Sequence, residues 1–178
     1  LEDAFFISED KKLLERLKKL QLMADTKENL KKVSGIHNDS LLNSLVELDV
    51  KPEMMACIAL VPLIEVAWAD GEISLQERTA IERAAAENGF QGNENNLAII
   101  SQWLTHAPGP RLLKAWQVYI HGLCEMLTEV EKDQLREELL GKAKAVAASA
   151  GGFLGLMKIS SEEQDVLDKL AESFSASK

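Results

Sequence analysis

Three short patterns constrain this chain more than anything else in it: Ser74-x-x-Glu77, Thr128-x-x-Glu131 and Ser160-x-x-Glu163. In each, the hydroxyl can accept from the backbone N–H three residues on, and the glutamate can reach back to the amide of the hydroxyl residue. Two of the donors that open a helix are satisfied at once, which is the signature of a helix start. Long runs of alternating Val, Ile and Thr are missing, while Ala, Leu, Glu and Lys dominate. The expected fold class is all-α.

Punctuation along the chain divides it further. "EDKKLLERLKKLQLM" places Leu13, Leu17 and Leu20 on one face, so an amphipathic helix that must dock on something is expected, followed by a separate short helix "TKENLKKVSGI" stopped at Gly35. Asn38 or Asp39 can cap "SLLNSLVEL". Pro52 opens an apolar helix running to about Ala69. Gly89 and Gly92 end the helix begun at Ser74, and "NENNLAIISQWLTHA" forms the next. Pro108-Gly109-Pro110 is a hard boundary before the long helix "RLLKAWQVYIHGLCEML". The expected organisation is a helical extension over residues 1–37 and a helical domain over 38–178.

The chain also echoes itself. "EISLQERTAIERAAAENGF" and "KISSEEQDVLDKLAESF" pair Ile73 with Ile159, Ser74 with Ser160, Glu77 with Glu163 and Ile81 with Leu167. Each copy follows an Ala-rich helix that ends in glycine. Two pseudo-repeated helical hairpins packed in one bundle are expected.

Charge narrows the partners. The net charge is −9, and it is uneven: residues 1–35 hold eight Lys/Arg against seven Asp/Glu, the remainder twelve against twenty-two. A nucleic-acid binder would carry a basic face, so nucleic acid is not expected. A basic partner or a cation suits the acidic body better than a phosphate. Cys57 and Cys124 sit inside apolar helical patterns without a CxxC, and His37, His106 and His121 are scattered, so no structural zinc site is expected. No signal-peptide pattern is present, and "MMACIALVPLIEVAWA" is too short to span a bilayer, so buried thiols, a cytoplasmic location and no transmembrane segment are expected.

The stretch "VAWADGEISLQERTAIERAAAENGF" resembles half of a calcium-binding loop. With Asp70 at the fifth position, Gly71, Ile73 and Glu77 match the sixth, eighth and twelfth. Val66 and Trp68 then occupy the first and third, and neither ligates calcium. Asp70-Gly71 serves equally well as a turn between two helices. Glu65 lies about 140° of helix rotation from Asp70, so the two do not share a face of a regular helix. Set among apolar neighbours, Glu65 needs a partner such as His121, Arg78 or a Trp indole, or an outlet to solvent.

"ACIALVPLIEVAWADGEISLQERTAIERAAAENGF" resembles the first motif of the tellurite-resistance TerB-like family, which carries Ala-Asp-Gly-x-Ile/Val-x-x-x-Glu between two helices. The all-helical domain is also similar to the N-terminal region of a membrane-anchored DnaJ-type co-chaperone. Asp70, Gly71, Ile73 and Glu77 match the motif, and the likeness covers roughly residues 50 to 174. It implies a TerB-like bundle, a stress-related role without catalytic activity, and a cation site fed by acidic residues of two related motifs. In the second motif, aligning "AWADG" with "ASAGG" puts Gly151 where the second Asp is expected.

Two functions are therefore expected in rank order: a non-enzymatic interaction or scaffold domain with a protein partner, then a divalent-cation-binding regulatory module using Asp70, Glu77 and Glu65. The apolar tip Phe153, Leu154, Leu156 and Met157 either plugs the underside of the bundle or meets a partner or membrane surface. Trp103, Trp116 and Tyr119 have core spacing. No nucleophile elbow or dinucleotide loop is present.

Overall fold

The computed structural model describes residues 2–90, 93–150 and 159–175, with the backbone alone for residues 2–13. Eight α-helices and no strand occur among the described residues. They are α1 (Glu2–Ser34), α2 (Asp39–Glu47), α3 (Val61–Ala67), α4 (Leu75–Glu87), α5 (Glu94–Thr105), α6 (Pro110–Cys124), α7 (Glu129–Ala150) and α8 (Ser161–Glu172). The all-α class follows directly. No helix among the described residues is long and apolar enough to cross a membrane.

All three capping boxes form. Ser74, Thr128 and Ser160 each donate a backbone N–H to the glutamate three residues on, at 2.8, 2.8 and 2.6 Å, and each accepts that glutamate's N–H. Asn38, rather than Asp39, caps α2, accepting from the amides of Ser40 and Leu41. Gly35 stops α1 with φ +70 and donates to the carbonyl of Lys31.

Two local expectations are corrected. Residues 2–34 form one helix rather than two, because nothing at Asp25-Thr26 breaks it. Thr26 turns its hydroxyl back to the Leu22 carbonyl at 2.8 Å, and Gln21 bonds Asp25 one turn on. The expected helix from Pro52 to Ala69 is instead two 3-10 turns, Pro52–Met54 and Cys57–Leu60, followed by the short α3. Pro62 is the cause. In a helix interior it would lose a hydrogen bond and press on the carbonyl four residues back, so the α-helix starts at Val61, where proline is tolerated.

α3 is the hub. Val61, Leu63, Ile64, Val66 and Ala67 are fully buried or nearly so, and the helix packs on α4, α6, α7 and α8. A helix apolar on nearly every side has to be surrounded in this way. Small residues let its neighbours approach: Ala84 and Ala85 on α4, Ala143 and Ala147 on α7. α2 packs on α6, and among the described side chains of α1 the C-terminal end joins the body, through Leu30, which is 0% exposed. Trp116 anchors the far side, edge-on to Phe174 with ring centres 6.0 Å apart.

Candidate functional site

The turn between α3 and α4 brings together most of the residues singled out by sequence. Gly71 takes φ +93 and donates to the Trp68 carbonyl at 3.0 Å. Asp70 is exposed, and its Oδ1 accepts the amide of Glu72 at 3.1 Å, which closes the turn locally. Glu77 lies beneath it, 4% exposed, with Oε2 held by the Ser74 amide. Burial raises the Glu77 pKa; the Ser74 hydrogen bonds oppose this, and the charges of Glu163 and Asp70 add to it. The charge of Glu163, the other buried capping glutamate (7% exposed), thus acts on Glu77.

Glu65 does not join them. Burial lifts its pKa from 4.5 to about 7, and its Oε1 is enclosed without a hydrogen-bond partner. Three of the groups expected as candidates to meet it are engaged elsewhere. The Trp68 indole donates to the Trp103 carbonyl at 2.8 Å, Arg78 donates to the Leu104 carbonyl at 2.9 Å, and His121 faces Glu125 at 3.7 Å. The Trp116 indole N–H is likewise buried without an acceptor.

No group of three or more His, Cys, Asp or Glu among the described residues is placed to hold a metal ion. One oxygen of Asp70 and one of Glu77 accept backbone amides, and the second oxygen of each carboxylate makes no side-chain hydrogen bond among the described residues. Gly151 and the apolar tip Phe153, Leu154, Leu156 and Met157 lie outside the described residues.

Sequence reasoning missed one feature and left the placement of another open. The first is a cleft of about 690 Å³, floored by Val50, Met54, Ile58, Trp103 and Leu112 and edged by an Arg111–Asp49 ion pair at 2.7 Å. Asp49, at its rim, is a non-glycine residue with φ +61. Pro108-Gly109-Pro110 announces the boundary that forms one wall, but nothing local announces the opposite one.

The second feature is the outer part of α1. Leu14, Leu17, Leu20 and Leu22 are 58, 52, 55 and 67% exposed. The sequence marks this helix as amphipathic and expects it to dock on something, and these four leucines stand outside the core. Among the described residues, α1 settles on the body from about Thr26 onward, with Lys27 bridged to Asp39 at 3.3 Å. No protein-family model, curated protein or solved structure matches the chain.

Proposed function

We propose that this chain is a non-enzymatic interaction module of TerB-like type, in which a rigid helical body presents α1 to a partner. One observation carries the reading: four leucines on α1 stand more than half exposed while Leu30, farther along the same helix, is completely buried. Full burial of a leucine contributes about 1.5–3 kcal/mol, so a cluster left in water marks a surface that another molecule covers. The TerB-like architecture, with two pseudo-repeated hairpins, belongs to the same proposal. It is supported by the matched geometry of the Ser74 and Ser160 boxes, whose N-cap residues take φ/ψ of −67/160 and −68/166. A stress-related role rests on the family resemblance alone, and a cytoplasmic location on the two unpaired cysteines. Replacing Leu14, Leu17 and Leu20 with serine tests the core of the reading, because leucines reserved for a partner can be lost without loss of fold stability.

The second reading, a divalent-cation regulator at Asp70-Gly71, has one observation in its favour: the charges of Asp70 and Glu163 both act on Glu77. It ranks lower because one oxygen of Asp70 and one of Glu77 are engaged by backbone amides.

A further inference from the structure

The exposed stripe of α1 has a shape and a border that select among occupants. At 100° per residue, Leu14, Leu17, Leu20, Gln21 and Ala24 fall in an arc of about 120°. No charged residue between positions 14 and 24 enters that arc. Lys18 lies about 40° beyond Leu14 and Arg16 about 40° beyond Leu20, with Asp25 about 20° beyond Leu14 and with Leu22 and Met23 standing past the two cations. Both cations are exposed, as is Lys19 behind them. Glu15, the one acidic residue between positions 14 and 24, lies almost opposite the centre of the stripe.

The geometry points to an anionic lipid surface as the occupant of this stripe, a conclusion that rests on reading α1 as the partner-binding element. Leucines with a cation near each edge of their arc let the apolar side chains enter the acyl boundary while the Lys and Arg stems reach up to anionic headgroups. The alternative of a coiled coil with a second copy fits less well. The stripe runs for about one and a half heptads, short of the three or four such a seam needs, and Leu14 with Gln21 makes it wider than an a/d seam.

Charge and orientation agree with this. Residues 36–178 carry twelve Lys/Arg against twenty-two Asp/Glu, so the body itself would be repelled by an anionic surface. It is held clear of one. Leu30, where α1 is fastened to the body, lies about 140° around the axis from Leu17, so the stripe faces away from the acidic bundle.

The test mixes the full chain with vesicles of phosphatidylcholine alone and with vesicles in which a third of the lipid is phosphatidylserine, followed by sedimentation. The expected result is binding to the anionic vesicles roughly tenfold or more above the neutral ones, weakened by salt. Arg16→Glu with Lys18→Glu should remove that preference, and Leu17→Ser with Leu20→Ser should remove the binding. Equal binding to both vesicles, no binding, or indifference to both pairs of substitutions overturns the proposal. A chain that ignores vesicles but forms a dimer dispersed by Leu17→Ser with Leu20→Ser assigns the stripe to a second copy. That result overturns the lipid surface and leaves the interaction reading standing. The melting temperature of the same variant separates the two failures: a fall of several degrees returns these leucines to the fold, and both readings go.

Discussion

The indole Nε1 of Trp68 donates to the backbone carbonyl of Trp103 at 2.8 Å, tying the end of α3 to the last turn of α5. Arg78, on α4, does the same for the Leu104 carbonyl at 2.9 Å. The last carbonyls of a helix have no partner within it, so these two side chains complete α5 from outside. The Asp70-Gly71 turn lies between the two donors in sequence. Its geometry is thus accounted for by fastening three helices together.

Removing one of these ties has a definite cost. Trp68→Phe keeps most of the ring packing but leaves the Trp103 carbonyl unpaired, so urea unfolding should show a loss of about 1–2 kcal/mol. Ser74→Ala, which removes an N-cap hydroxyl, should cost about 1 kcal/mol by the same measurement.

A turn that only joins helices should ignore cations. Thermal unfolding with calcium, magnesium, manganese or zinc is expected to give an unchanged melting temperature. A metal at a hundred times its dissociation constant would stabilise by about 2.7 kcal/mol. Such a rise, abolished by Asp70→Ala, would move the cation regulator to first place.

Glu65 predicts the pH dependence of stability. Its pKa in the folded chain is about 7 against an ordinary 4.5, so between those values the folded state holds a proton that the unfolded state has released. Stability therefore falls as pH rises from about 4.5 to 7, and Glu77, shifted in the same direction, adds to the fall. Glu65→Gln should flatten the curve and be more stable than the native chain at pH 8 by about 2 kcal/mol, a figure discounted for the part of the side chain that water reaches. A variant with the same pH profile as the native chain would contradict this.

Gly122 marks a close approach between α6 and the segment that joins α1 to α2. A Cβ there would stand 2.6 Å from Cδ1 and 3.0 Å from Cγ1 of Ile36, which is 1% exposed and has little room to retreat. Gly122→Ala is expected to destabilise by about 1–3 kcal/mol, despite the better helix propensity of alanine. Stabilisation in urea would show that Ile36 repacks without cost.

The parts of this structure legible in sequence are those written in local code. Ser74, Thr128 and Ser160 announce their helices because cap and glutamate lie three residues apart, and Gly35, Gly71 and Gly89 mark ends because each takes a positive φ. Pro62 misled the reading of residues 52–69, since a proline compatible with a helix start was placed inside one. The surroundings of Glu65 were not legible, because they are set by side chains arriving from distant helices. The same holds for the 690 Å³ cleft, whose lining comes from residues 48 to 58 and 102 to 115. Sequence also marks the leucines of α1 as a face, but whether that face is covered depends on where the rest of the chain goes.

The stability of the Leu14→Ser, Leu17→Ser, Leu20→Ser chain tests the interaction reading most directly. If the stripe is reserved for a partner, urea unfolding should give a midpoint close to that of the native chain, each surface change contributing within about 0.5 kcal/mol. If those leucines are part of this protein's own core, each truncation should cost about 2–5 kcal/mol and the variant would scarcely fold. That second result would contradict the account.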